Sequence, residues 1–100
     1  MPISRNGFTG RKSDIGTTPA RVISDQSVVV NEGLQILASP NNSETIYVGY
    51  SSGITANSAD STDGFPLVPG ASLFLPCRHP ADVYVRSSTL SSQVIWFASQ

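Results

Sequence analysis

The chain has 100 residues with one cysteine, one histidine, seven acidic and six basic side chains, for a formal net charge of −1 at pH 7. A lone cysteine excludes an intrachain disulfide, and one Cys with one His makes a closed structural zinc site a poor fit. The 13% of charged residues is too few and too balanced to steer a polyanion, so a nucleic-acid partner is not expected.

Residues 1–19 differ from the rest. They hold Arg5, Arg11 and Lys12 among Gly7, Gly10 and Gly16, with Phe8 and Ile15 as isolated apolar residues. No period of 2 or 3.6 emerges, so the stretch predicts an extended arm that orders against a partner. In that reading Phe8 and Ile15 are anchors, the three cations meet acidic patches, and deleting residues 1–18 leaves the remainder folded. The opening Met1-Pro-Ile-Ser-Arg-Asn-Gly7 lacks the apolar core of a signal peptide, and no apolar run approaches the roughly 18 residues of a membrane span. No membrane partner is expected.

From residue 20 to residue 100 the chain predicts one β-module, with strands at about 20–24, 27–31, 33–39, 44–50, 71–76, 82–87 and 93–98. Ile46, Val48 and Tyr50 share one face opposite Thr45, Tyr47 and Gly49. Val83 and Val85 oppose Asp82, Tyr84 and Arg86. In the last strand Val94, Trp96 and Ala98 oppose Ile95 and Phe97. Both of its faces are apolar, which predicts a central strand or one at a subunit contact. Asn31-Glu-Gly33 suits a hairpin turn, Ser39-Pro-Asn-Asn-Ser43 a longer polar turn, and Pro69-Gly70 the centre of a type II turn. The sequon within that polar turn reads as turn chemistry. The stretch 51–70 is expected to cross between sheet edges. The fold class is all-β: a small β-sandwich or barrel with jelly-roll or Greek-key connections and an extended N-terminal arm. With a thin core and no covalent staple, a homo-oligomer is expected, buried through Tyr47, Tyr84, Ile95 and Phe97.

Three motifs bear on chemistry. Cys77-Arg-His79 places a thiol near an imidazole, but between two prolines and without a nucleophile signature around it. Asn57, Asp60 and Asp63 could offer oxygens to calcium, yet lack the acidic count and terminal Glu of a calcium loop. The aromatics lack interleaved basic residues, which favours packing and contact over base stacking. An enzyme, a cofactor and a metal are not expected.

The pattern Glu44-Thr-Ile-Tyr-Val-Gly-Tyr50, Gly64-Phe-Pro-Leu-Val-Pro-Gly70, Asp82-Val-Tyr-Val85 and Val94-Ile-Trp-Phe97 resembles small virion proteins of tailed bacteriophages, most of all capsid decoration, or cement, proteins. The resemblance covers about residues 20–98 and implies a module that assembles on the head shell, often as a trimer. It implies the major capsid protein or another virion protein as partner, and a virion location after synthesis in the host cytoplasm. A neck or tail component, or a carbohydrate- or host-surface-binding module, are the alternatives.

Overall fold

The computed structural model describes residues 7–56, 64–89 and 92–100. Among these described residues eight strands follow in chain order: β1 (Thr9–Ile15), β2 (Ala20–Arg21), β3 (Gly33–Ala38), β4 (Ile46–Gly49), β5 (Phe65–Leu67), β6 (Ser72–Pro76), β7 (Tyr84–Ser87) and β8 (Gln93–Ser99). One turn of 3₁₀ helix, Pro80–Asp82, precedes β7. The strands form two antiparallel sheets, ordered β1-β8-β3-β6 and β2-β7-β4-β5. The pairings are nested: β1 with β8, β2 with β7, β3 with β6, β4 with β5. The chain is thus one long hairpin rolled over on itself, which is the jelly-roll arrangement of a β-sandwich.

Alternation decides what lies between the sheets. Leu34, Ile36 and Ala38 of β3, Ile46 and Val48 of β4, Val83 and Val85 around β7, and Ile95 of β8 are all buried and form one cluster with Ile15, Val22, Leu67 and Leu75. β8 lies inside its sheet between β1 and β3, as its doubly apolar pattern predicts. The Pro69-Gly70 turn is also as read: Ala71 N–H donates to the Val68 carbonyl at 2.9 Å, and Gly70 has φ +87°, the left-handed position a type II turn gives to glycine. This turn carries the chain from β5, at the edge of one sheet, to β6, at the edge of the other.

The arm expectation needs correction. Residues 9–15 are extended, but as β1, an edge strand laid along β8 with Thr9 opposite Ala98 and Arg11 opposite Trp96. Its last residue, Ile15, is 1% exposed and belongs to the core, so it is not an anchor for a partner. A register shift between Lys12 and Ile15, with Asp14 at φ +58°, turns Ile15 inward. The 27–31 stretch is no strand. An Asx turn, with Asp25 Oδ1 accepting from Ser27 N–H at 2.9 Å, bends the chain before it. Val30 N–H then donates to the Arg78 carbonyl at 2.9 Å, and among the described residues no strand pairs with the run. Asn31-Glu-Gly33 accordingly leads from loop into β3, not between two strands.

Side-chain amides substitute for strand partners at the 39–44 turn. Asn42 brackets Val94, with Nδ2 donating to its carbonyl at 2.8 Å and Oδ1 accepting its N–H at 2.7 Å. Gln93, 3% exposed, accepts from the N–H groups of Ser43 and Glu44 at 2.9 and 3.1 Å. Glu44 in turn takes bonds from Ser88 Oγ at 2.9 Å and Thr89 N–H at 2.8 Å.

Urea unfolding tests these assignments with three variants. Ile15→Ala should cost about 2–5 kcal/mol, the usual range for truncating a buried Ile, and deletion of residues 1–18 should cost more because β8 also loses its neighbour. Gln93→Ala should cost about 1–3 kcal/mol by stranding two backbone donors. An unchanged urea midpoint after the 1–18 deletion would restore the free-arm reading.

Candidate binding surface

Every one of the eight aromatic side chains lies outside the buried set. Trp96 is 47% exposed, Phe74 40%, Tyr50 55% and Phe65 57%. Phe8, Phe97, Tyr47 and Tyr84 are half-buried. The buried cluster is aliphatic; Phe8 and Phe97 pack against its margin, and the other six rings lie toward the surface.

Strand register builds one extended surface feature. On the outer face of the β1-β8-β3-β6 sheet, Arg11, Trp96, Leu37 and Ser72 stand opposite one another across the four strands. The next outward row is Thr9, Ala98, Gln35 and Phe74. Across β1, β8 and β3 the first row is tall and the second short, which makes a step; at β6 the order reverses, with Phe74 in the second row and Ser72 in the first. The resulting shallow cavity, of about 430 Å³, is lined by Thr9, Arg11, Gln35, Leu37, Trp96 and Ala98, among others. Gly10 permits close packing beneath it, since a Cβ there would meet the Phe97 ring at 2.4 Å. The Arg11 guanidinium sits 5.5 Å from the Trp96 ring centre, a cation–π contact that fixes both side chains. The surface is therefore apolar, pre-formed and carries one cation.

The described residues expected to bind divide among five places. Arg11 lines the step. Phe8 packs edge-on against Phe97, with ring centres 6.5 Å apart, beside an apolar hollow of about 350 Å³ that also touches Ile23 and Val28. Ile15 and Ile95 are buried, Ile95 at 0% exposure, so neither is an interface residue; this corrects the expectation for both. Tyr47 and Tyr84 lie on the opposite sheet, with Tyr84 under the Arg21 guanidinium at 5.1 Å and Tyr47 between Arg86 and Pro66 in register. Lys12 pairs with the buried Ile95, so its side chain starts from the inward face at the sheet rim. Arg5 lies outside the described residues, as do Asn57, Asp60 and Asp63. Among the described residues no cluster of three His, Cys, Asp or Glu could hold a metal ion, and no helix is long and apolar enough to cross a membrane.

Trp96, Leu37 and Phe74 were not among the contact residues expected from sequence. The available signal was size: a tryptophan fits poorly into a thin aliphatic core and is seldom fully buried.

Cys77 is half-buried. Burial pushes its thiol pKa up, and the Asp82 carboxylate adds to the effect. That is the reverse of nucleophile activation, which needs the thiolate. His79 is exposed and precedes the 3₁₀ turn. Alkylation by iodoacetamide at pH 8 should therefore run slower for the folded protein than for free glutathione, and reach the free-thiol rate in urea. Equal rates in the fold would contradict this assignment.

No family model, no curated protein and no solved structure matches the chain.

Proposed function

We propose that this is a non-enzymatic structural protein of a virus particle, a decoration or cement protein that binds the outer head shell and stabilises the mature capsid. The observation that carries the reading is the outward row Arg11-Trp96-Leu37 beside the low row Thr9-Ala98-Gln35, apolar contact surface on a domain whose fully buried cluster is aliphatic. The likeness of the strand pattern to phage virion proteins supports it. The jelly-roll sandwich supports it by analogy alone, since the same architecture serves capsid and lectin domains.

Cementing requires differential affinity, because a ligand stabilises only the state it prefers. A rigid step meets that requirement, since a small change in the facing shell surface removes the fit. Attachment centres on this face, with Phe8 at the adjoining end of the sandwich and Arg11 supplying the charge that orients the shell contact.

A sugar-binding reading draws on the exposed Trp96 with Thr9 and Gln35 nearby. It is the weaker reading, because the Arg11 guanidinium covers an indole face that a sugar ring would stack on.

Capsids prepared with and without the protein should differ in resistance to heat and osmotic shock, with the protein present in hundreds of copies. Trp96→Ala or Leu37→Asp should weaken attachment about thirtyfold or more, as expected for losing an anchor worth ~2 kcal/mol, while Lys12→Ala changes it little. About six or twelve copies per particle would instead indicate a neck or tail component. Equal capsid resistance, or saturable micromolar binding on a glycan array, would overturn the cement reading.

A further inference from the structure

A β-sandwich has four exposed edges, and each is a template for another strand unless it is guarded. Here β2 has only two residues. β5 carries Pro66 in its middle. β1 carries a register shift, and Lys12 starts from its inward face. β6 has five residues, Ser72-Leu-Phe-Leu-Pro76, with no charge, no bulge and no proline before its last position.

Hydrogen-bond parity identifies what β6 leaves open. Ala38 N–H donates to the Ala71 carbonyl at 2.9 Å, and Cys77 N–H to the Glu32 carbonyl at 3.1 Å. In an antiparallel ladder every second residue faces the same neighbour, so the odd-numbered residues 71–77 bond to β3. Ser72, Phe74 and Pro76 then point their backbone groups away from the sheet. Pro76 has no N–H, and its carbonyl accepts from the Tyr50 hydroxyl at 2.7 Å. Four open groups remain, the N–H and C=O of Ser72 and of Phe74, without partners among the described residues.

We propose that β6 pairs antiparallel with β6 of a second copy, in the register that sets Ser72 opposite Phe74. That register uses all four open groups, since Ser72 and Phe74 exchange two bonds with Phe74 and Ser72 of the copy. It is self-complementary about Leu73, which meets its own equivalent on the inner face. Pro76 falls opposite Gly70, which has no side chain and leaves room for Tyr50. Nothing charged on β6 repels its equivalent. The product is a continuous eight-stranded sheet closed by a two-fold axis, the commonest oligomer symmetry. It takes the place of the three-fold arrangement that the phage resemblance implies.

The test uses the isolated full-length protein, so it is independent of the particle reading. Sedimentation from micromolar to hundreds of micromolar should show a species of twice the 10.6 kDa chain. At pair-forming concentration the Ser72 and Phe74 amides should exchange slowly by NMR and become fast on dilution, while Leu73 and Leu75 stay slow throughout. Phe74→Pro removes an outward N–H and spares the β3 ladder, so it should abolish pairing and keep the native β3 signals. Phe74→Lys, which leaves the backbone intact, should also be monomeric and serves if the proline variant does not fold. A single-chain mass at every concentration, a three-chain mass, fast Ser72 and Phe74 amides in an associated sample, or undiminished pairing of a folded Phe74 variant would each overturn the proposal.

Discussion

The structure depends on a core built from Ile, Leu, Val and Ala alone. Two sheets about 10 Å apart leave room for one interdigitated layer. Leu34, Ile36, Ile46, Val48, Val83, Val85 and Ile95 fill it at 0–1% exposure. Branched chains of this length mesh without strain, and β-branching suits the pleat. A layer so filled has no place for an indole or a phenol. Trp96, Phe74, Tyr84 and Tyr47 are therefore displaced to the outer faces, and the surface chemistry follows from the core's dimensions.

Sequence reading succeeds where one face is apolar and the other polar. Ile46 and Val48, or Val83 and Val85, can face only one way. It does less well where the pattern is two-sided or interrupted. β8 carries Val94, Trp96 and Ala98 on one face and Ile95 and Phe97 on the other, and alternation cannot say which is inside. Since the side-chain period is 2, the choice reverses every assignment along the strand. That is why the sequence points to Ile95 as an interface residue and passes over Trp96. β1 is hidden for another reason: an edge strand needs to bury little, and Thr9 to Asp14 supply no apolar residue. Only Ile15 enters the core, after the register shift. β5 is three residues with a proline, below what a pattern can register. The Val28-Val-Val30 run has strong strand propensity but joins no ladder among the described residues, so context overrides it.

Low charge explains how the domain protects itself. With 13% charged residues, repulsion cannot guard the strand edges. Pro66, the β1 register shift, the inward start of Lys12 and the shortness of β2 do so by geometry. Polar side chains serve similarly at the sandwich end, where Asn42 and Gln93 close backbone groups that a longer strand would otherwise satisfy. Tyr50 closes the Pro76 carbonyl with its hydroxyl, which donates to it at 2.7 Å.

The outer step and the β6 edge meet at one residue. Phe74 stands in the outward row with Thr9, Ala98 and Gln35, and its backbone belongs to the open edge. Joining two copies through β6 therefore does more than satisfy four backbone groups. It places both Trp96-Leu37 rows on one continuous sheet face, related by a two-fold axis, with the two Phe74 rings between them. A surface held by one row then holds the other at high effective concentration, so each contact can be weak while the pair binds tightly. Single rows need not be optimised for affinity, which fits a contact that consists of one cation, one indole and a few aliphatic groups. In this arrangement recognition is set by the spacing of the two rows as much as by their chemistry. A repeating shell surface supplies such a spacing, and a lone soluble partner does not.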